Sequence, residues 1–306
     1  MKISLSKSLY TKGLQCQKAL WLKKYNKAVL TPPDDATMAR FKEGNTVGDL
    51  ACDLFPGGRE IPFKGTTFSQ KITLTQEWLN EGLNDIYEAT FEYDGVLVMV
   101  DVLHKKSNGS FEIYEVKSST EAKDIFRHDA SIQYYVLNGL GYDVSDVYIT
   151  ILNTDYIRGD ELDVRQLFTH VKVTDDVLAL QGDIPATLGK FRETLTDRVN
   201  EPDIDIGRHC KKPYPCDAID YCWKQQRNIP EYSVFNIFQM NKNPKSVQLY
   251  KDGIVAVEDI PDTMKLTDIQ QHKVAVWKAQ RPVINKDAIK SFIDSISYPI
   301  YHFDFE

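Results

Sequence analysis

The sequence predicts a mixed α/β fold, in which helices flank a central sheet and a small helical domain follows toward the carboxyl terminus. Within residues 86–119, three runs rich in Val, Ile, Tyr and Leu are separated by the turn sequences YDG and SNGS, which indicates a three-stranded meander. Segments with apolar residues at helical spacing lie before and after this meander. A further β-rich run at 144–153 follows the next helical segment. The order is therefore helices, three strands, helix and strand.

The other elements can be placed in chain order. A helix within residues 5–25 begins after a serine cap and presents an apolar face. Further helices are predicted over 35–55, 71–85, 124–142, 175–200, 246–261 and 268–280. The composition changes near residue 230. We therefore expect a main domain over 1–230, a small helical domain over 231–295 and a last segment over 296–306.

Composition and charge limit the class of protein. The chain has 306 residues and a net charge of −7, which argues against a broadly basic nucleic-acid binder. A local basic patch stays open at the lysine pairs 23–24, 105–106 and 211–212, although an ordinary solvated pair is the simpler explanation of each. No apolar run approaches the length of a membrane span, and the amino terminus lacks the apolar core of a secretory signal. We expect a cytoplasmic protein without membrane contact.

Three charged side chains interrupt two of the predicted strands. Asp101 lies in one apolar run, and Glu115 and Lys117 lie in the next. A charge in a half-buried strand is costly unless it is paired or binds a metal. Glu115 and Lys117 are two residues apart and project from one face, so Asp101 on the neighbouring strand can lie opposite them.

Carboxylates placed in this way suit a hard divalent cation. Mg²⁺ prefers carboxylate and carbonyl oxygens, so Asp101, Glu115 and the backbone carbonyl of Val116 are the candidate ligands. Such an ion neutralises a phosphodiester and lowers the pKa of an attacking water. Lys117 could orient or deprotonate that water and stabilise developing negative charge. The alternative is a surface Glu–Lys pair on an edge strand, since the ExK tripeptide also occurs by chance.

The ordered set of Asp101, Glu115-Val116-Lys117 and Gln133, the last within SIQYYVLNGLG, resembles the PD-(D/E)xK nuclease superfamily and more closely its RecB-type branch. The resemblance implies a restriction-endonuclease-like sheet and a deoxyribonuclease dependent on Mg²⁺ or Mn²⁺. It further implies an exonuclease acting on single-stranded DNA or DNA ends, as in DNA repair. Gln133 would point into the site from the helix that follows the strands. Tyr134 and Tyr135 come sooner after Gln133 than the tyrosine of the family, so the resemblance assigns that role to neither of them.

One early helix departs from that family's pattern. The RecB-type pattern has a Gly followed four residues later by a His metal ligand. In EGNTVGDL, Gly44 matches the Gly, but Gly48 stands in place of the His. Asp49 could supply a metal-binding carboxylate instead, with Glu43 a weaker candidate, and a solvated helix residue is the alternative for Asp49. The missing ligand would weaken a second metal position or the activity itself.

Four of the five cysteines fall into a pattern. Cys210, Cys216 and Cys222 follow a C-x5-C-x5-C spacing, and Cys16 lies far upstream. Clustered intracellular thiols indicate a metal site, and four thiolates hold either zinc or a [4Fe-4S] cluster. One cysteine before the nuclease core and three after it resembles the iron-sulfur nucleases of the RecB type, including the CRISPR adaptation nucleases and the AddB helicase-nuclease subunit. The resemblance implies a structural [4Fe-4S] cluster, although the commoner spacing there is C-x2-C-x5-C.

Such a cluster would join the amino-terminal helix to the end of the nuclease domain, so chelation should destabilise that domain. Cys52, on an apolar helical stretch, is predicted to be a buried core thiol. His209 beside Cys210 could be a ligand, although a single exposed His next to a metal loop is more often incidental.

The carboxyl-terminal part carries two weaker signals. The segment LYKDGIVAVEDIP resembles a helix-hairpin-helix element, whose Gly-Ile turn lets backbone amides approach a phosphate, and a plain helical packing unit is the alternative. In YPIYHFDFE, Asp304 and Glu306 resemble the first motif of a DnaQ-like exonuclease. The whole order resembles a bacterial family with that fusion, so we expect a DnaQ-like domain that is truncated here, as a fused or separate partner.

Two other functions remain open. The chain could be a catalytically weak DNA-binding scaffold that keeps the nuclease fold and a structural metal cluster, as the substitution at Gly48 allows. It could also be a zinc protein of unrelated function, which would give a colourless preparation.

Overall fold

A computed structural model describes residues 3–238 and 244–303 of the chain. In this part the predicted mixed α/β fold is confirmed, because seven strands form one mixed sheet against which helices pack. The chain divides into two compact units, Met1–Gln226 and Arg227–Glu306. The carboxylates of the predicted DnaQ-like strand, Asp304 and Glu306, lie outside the described residues.

The sheet belongs to the first unit. Its strands are β1 (Leu5–Ser6), β2 (Arg59–Glu60), β3 (Asp85–Tyr93), β4 (Val96–Lys105), β5 (Phe111–Val116), β6 (Val144–Leu152) and β7 (Phe168–Lys172). Strands β2 to β7 lie side by side in chain order, and β1 pairs with β4 outside that path. The pairs β1–β4, β2–β3 and β5–β6 are parallel, while the other neighbours are antiparallel.

The predicted three-stranded meander is confirmed as β3, β4 and β5. Its first turn consists of Asp94 and Gly95, whose φ angles of 50° and 68° suit the tight turn between antiparallel strands. The second turn includes Gly109 with φ of 90°. Strands β1, β2 and β7 were not predicted, because β1 and β2 have two residues each and β7 alternates weakly.

The first unit contains eight α-helices among its described residues. They are α1 (Lys7–Gln15), α2 (Gln17–Tyr25), α3 (Asp35–Cys52), α4 (Phe68–Asn80), α5 (Asp124–Gly139), α6 (Val164–Leu167), α7 (Thr174–Leu180) and α8 (Ile184–Thr194). A π-helix over Asp220–Gln225 follows them. The predicted helices at 35–55 and 124–142 are confirmed, whereas the one at 175–200 is two helices, α7 and α8.

The predicted single amino-terminal helix is wrong at Cys16. This residue has extended backbone angles, φ −164° and ψ 120°, so α1 ends there and α2 begins after it. Helix α1 approaches α8 closely at Gly13, where an added Cβ would lie 2.7 Å from the Phe191 ring. The break turns the chain at Cys16, and α1 also contacts β4 and α5.

Helix α5 covers the centre of the sheet. It contacts β3, β4, β5 and β6 and connects the parallel pair β5 and β6. Its fully buried residues recur at helical spacing and include Ala130, Gln133 and Leu137. A polar residue on this face is therefore directed at the sheet.

The second unit is helical where it is described. It contains α9 (Val234–Phe238), α10 (Lys245–Lys251), α11 (Asp268–Ala279) and α12 (Lys286–Asp294). The turn after α10 contains Gly253, with φ of 80°, which matches the predicted Gly-Ile turn in conformation. Within the described parts of both units, the helices are too short or too polar to cross a bilayer.

Candidate active site

Strands β4 and β5 bring two of the predicted carboxylates together. Val102 pairs with Tyr114 in this antiparallel ladder, which sets Asp101 beside Glu115. The backbone N–H of Val116 donates a hydrogen bond of 2.7 Å to Asp101 Oδ2. The Glu115 side chain is fully buried, whereas that of Asp101 is 24% exposed. One carboxylate is therefore enclosed and the other opens to solvent.

Lys117 joins this pair from the loop directly after β5. Its Nζ donates a hydrogen bond of 2.6 Å to Glu115 Oε1 and lies 3.0 Å from Asp129 Oδ2. Although burial opposes it, the neighbouring carboxylates of Glu115, Asp129 and Asp101 raise the pKa of Lys117. The amine is held as an ammonium group.

Helix α5 supplies two side chains one turn apart. Asp129 contacts Lys117, and Gln133 Nε2 donates a hydrogen bond to Glu115 Oε2. The other amide atom, Gln133 Oε1, is buried without a hydrogen-bond partner among the described residues. The structure thus brings Asp101, Glu115, Lys117 and Gln133 together, in the arrangement that the sequence predicts.

A second lysine enters the site from the amino terminus. Lys7 is the first residue of α1, directly after β1, which lies along β4. Its Nζ lies 3.0 Å from both oxygens of Glu115 and 3.7 Å from Asp101 Oδ1. Sequence reasoning missed Lys7, because a two-residue strand gives no periodic signal that could place it here.

A fourth carboxylate lies opposite Asp101 across the β3–β4 ladder. Tyr87 pairs with Val102 and Ala89 with Val100, which leaves Glu88 facing Asp101. Glu88 has φ of 55°, an uncommon left-handed conformation that is found at functional sites. Glu88 is a charged residue within the apolar β3 run, which is the same signal that identified Asp101. Asp129 lies four residues before Gln133 on α5, and this helical spacing could have identified it.

The acidic groups of this site outnumber its ammonium groups. Burial, and then the charge of Asp101, raises the pKa of Glu88 to about 7. Burial, and then Glu115, raises the pKa of Asp101, and the same two causes act on Asp129. For Glu115, burial is outweighed by Lys117, Lys7 and Gln133, which lower its pKa to about 2. Additional positive charge would therefore stabilise the ionised site.

The donor set fits a hard divalent cation in chemistry. Asp101 and Glu115 are neighbours on adjacent strands, with Glu88 on the other side of Asp101, and Gln133 Oε1 is an unused buried acceptor. Throughout the described residues, no group of three or more His, Cys, Asp or Glu side chains is already spaced to hold a metal ion. Here the ammonium of Lys7 lies where the oxygens of Asp101 and Glu115 converge.

The early helix α3 passes the site but does not deliver the predicted substitute ligand. Asp49 is exposed and makes no hydrogen bond or ion pair with the described residues around Glu115, and Glu43 is also exposed. At Gly44, an added Cβ would lie 3.9 Å from Ser118 Oγ, whereas at Gly48 it would face open space. The role of Asp49 as a metal ligand stays a prediction.

The four predicted thiols converge in a separate place within the first unit. Cys16, Cys210, Cys216 and Cys222 all line one small cavity. Backbone N–H groups point at two of the sulfurs, since Gly207 donates to Cys210 Sγ and Ala218 donates to Cys216 Sγ, each at 3.5 Å. Four thiols around one cavity are the ligand types of a thiolate metal site, but no three of them are spaced to hold a metal ion in the described residues.

His209 lines the same cavity, and its role as a ligand stays a prediction. Its hydrogen bonds with Cys16 and Cys210 raise its pKa to about 10. Burial raises the pKa of Cys216 to about 11. For Cys210, burial is outweighed by the hydrogen bonds from His209, Gly207 and Trp223 together, which lower the pKa. Cys52 stands apart and is half-buried rather than fully buried, and its Sγ donates to Gly48 O.

Comparison with known proteins gives distant structural likenesses. No protein-family model matches the chain, and no curated protein matches it. An alkaline exonuclease from Laribacter hongkongensis is 10% identical, over 63% of this chain and 89% of that chain, with a TM-score of 0.36. The protein SSO0001 is 10% identical, over 61% and 77%, with a TM-score of 0.30. A phage-related exonuclease from Haemophilus somnus is 12% identical, over 64% and 95%, with a TM-score of 0.25.

Proposed function

We propose that this chain is a metal-dependent deoxyribonuclease that hydrolyses phosphodiester bonds as an exonuclease on single-stranded DNA or DNA ends. The observation that supports it is the contact of buried Glu115 with both Lys117 and Gln133, while Asp101 opens beside it to solvent. A buried carboxylate held between two polar groups near the end of a central strand has little structural purpose, since apolar residues would pack there at lower cost. A carboxylate in this position can instead serve as a metal ligand.

Each side chain has a role in that chemistry. Asp101, Glu115 and the carbonyl of Val116 would hold Mg²⁺ or Mn²⁺, which when bound supplies charge neutralisation and a more acidic water. Lys117, whose ammonium is paired with Glu115 and Asp129, would orient the water and stabilise the charge that develops on the phosphate. Asp129 holds the Lys117 ammonium at 3.0 Å. Gln133 orients Glu115 and leaves its own Oε1 to accept a hydrogen bond from water or substrate.

The first test is cleavage of single-stranded DNA in Mn²⁺ or Mg²⁺. The purified chain should degrade oligonucleotides labelled at either end, and omission of the divalent ion should stop the reaction. Asp101→Asn should lower the rate by about 10²-fold, because it removes a charged oxygen ligand and one of the charges that attract the ion. Asp146→Asn, on the neighbouring strand β6 and paired with Lys172 at 2.5 Å, is the matched control and should cleave normally.

A second candidate function has one observation in its favour. The Lys7 ammonium between Asp101 and Glu115 satisfies these carboxylates without a metal. A fold that keeps this pairing would be a DNA-binding scaffold with weak catalysis or none. Tight oligonucleotide binding by both wild type and Asp101→Asn, with no metal-dependent cleavage by either, would favour the scaffold and reject the nuclease.

We also propose that the four thiols hold a structural metal group, a [4Fe-4S] cluster or zinc. Cys16→Ser and Cys222→Ser should each lower the metal content and the melting temperature, because the thiol site ties the α1–α2 break to the segment after Gly207. Cys52→Ser is the matched control and should change neither. A brown preparation containing iron identifies the cluster, and a colourless one containing zinc identifies the alternative. Wild-type protein that contains neither iron nor zinc and has the same melting temperature as Cys16→Ser would contradict both alternatives.

A further inference from the structure

A cleft of about 770 Å³ opens beside Lys117 and continues the candidate active site. Its walls come from the first turns of α1, the middle of α3, the loop after β5, the start of α5 and the loop 213–215. Two of its lining residues, Lys117 and Asp129, also belong to the charged cluster around Glu115. A polymer lying in this cleft would therefore reach the carboxylates.

The charge of the cleft is opposite to that of the chain. Its ionisable lining residues are four cations, Lys12, Arg40, Lys117 and Lys123, and one anion, Asp129, although the whole chain has a net charge of −7. Lys12 and Lys117 are occupied by carboxylates, at 2.6 Å each. Arg40 and Lys123 form no ion pair with any residue that the structure describes. These two cations are available to phosphates.

Two aromatic rings face the same cleft. Phe41 is 55% exposed on α3, and Tyr214 is 46% exposed on the loop between two prolines. Exposed rings beside unpaired cations are typical of surfaces on which unpaired bases stack, because every base has an aromatic face. A base pair in a duplex cannot offer that face without unstacking.

The loop that carries Tyr214 is fixed from both ends. Gln15 Nε2 donates hydrogen bonds to the backbone oxygens of His209 and Tyr214, at 2.7 and 2.8 Å. The N–H of Cys216 donates to Cys210 O at 2.9 Å, which closes the loop between two of the four thiols. The thiol site thus presents Tyr214 to the cleft as a preorganised ring.

We propose that this cleft binds a single strand of nucleic acid, with unpaired bases stacked on Phe41 and Tyr214 and phosphates at Arg40 and Lys123. The proposal rests on the proposed nuclease function only for cleavage of the bound strand. Binding of the strand does not depend on it. It makes the cleft the element that selects single strands over duplex, and it makes the thiol site part of substrate recognition.

Binding is to be measured by fluorescence anisotropy without added Mg²⁺ or Mn²⁺, with oligothymidylate longer than about 16 nucleotides and with a blunt duplex of equal length. Phe41→Ala and Tyr214→Ala should each weaken oligothymidylate binding by roughly five- to a hundredfold, the range for loss of one base–ring stack. Tyr214→Phe keeps the ring and should bind like wild type. Phe63→Ala removes a ring that is 71% exposed outside the cleft and is the matched control.

The cations give an independent readout. Arg40→Gln and Lys123→Gln should each reduce the slope of log affinity against log salt by about 0.7, as expected when one phosphate contact on a single strand is lost. Lys27→Gln, a lysine outside the cleft, should leave the slope unchanged.

The outcomes separate this proposal from the nuclease proposal. If oligothymidylate binding without added Mg²⁺ or Mn²⁺ is weaker in Phe41→Ala and Tyr214→Ala, the proposal for the cleft is supported. This holds even where Mn²⁺ gives no cleavage and the nuclease proposal fails. Cleavage by wild type with unchanged binding in both ring variants overturns the cleft and leaves the nuclease. Tighter binding of duplex than of oligothymidylate also overturns it. Equal melting temperatures of the variants exclude a folding defect, and recovery by Tyr214→Phe isolates the ring.

Discussion

Lys117→Ala is expected to slow DNA cleavage by about 10²- to 10⁴-fold, the range for a side chain that both positions a reactant and stabilises transition-state charge. The ammonium lies 2.6 Å from Glu115 and 3.0 Å from Asp129, so its position is fixed before substrate arrives. Its raised pKa means that the positive charge persists through neutral and mildly alkaline pH. Single-turnover cleavage of a labelled oligonucleotide in saturating Mn²⁺ measures the chemical step directly.

Three variants separate catalysis from structure at this position. Lys117→Arg keeps the charge but moves its donors, so it should recover only part of the rate. Asp129→Asn removes the partner that holds the ammonium and should give a smaller loss than Lys117→Ala. Lys106→Ala, which breaks the ion pair with Glu112 of β5 at 3.0 Å, should cleave like wild type. Wild-type cleavage by Lys117→Ala would remove the proposed mechanism, whatever the other variants do.

The part of the site that the sequence predicts is the part on long, periodic elements. Asp101, Glu115 and Gln133 lie on two strands and a helix whose burial pattern fixes their direction, so an out-of-place polar residue on them is informative. Glu88 and Asp129 carry the same kind of signal and could have been found. Lys7 could not, because its position depends on the pairing of β1 with β4 across ninety residues of chain. Non-local pairing of a two-residue strand leaves no trace in local sequence.

The break at Cys16 shows a second limit of sequence reasoning. The residues on both sides favour one continuous helix, and no Pro or Gly interrupts the segment at that point. Tertiary contacts decide otherwise, since Cys16 hydrogen-bonds with His209, and Gln15 holds the backbone of the same distant loop. The sequence predicts the grouping of the four thiols, but it does not predict the break of the helix at Cys16.

Lys7→Gln is expected to lower the stability of the metal-free protein by about 1.5–3 kcal/mol, the range for a lost hydrogen bond to a charged group. The Lys7 ammonium contacts both oxygens of Glu115, a carboxylate that is fully buried. Lys117 and Gln133 still hold Glu115, so the protein should fold. Lys23→Gln, a largely exposed lysine on α2 at 3.8 Å from Asp217, is the matched control and should melt like wild type.

The same substitution should strengthen Mn²⁺ binding by on the order of tenfold, because the ion no longer competes with an ammonium group for the oxygens of Asp101 and Glu115. Melting curves over a Mn²⁺ titration test both effects together: Lys7→Gln should begin lower than wild type and gain more on addition of the ion. Weaker Mn²⁺ binding than wild type would mean that Lys7 cooperates with the ion. Because Lys7 lies between the two proposed ligands, the sign of this change decides whether the lysine is an internal counter-ion that a metal displaces or a partner that stays beside it.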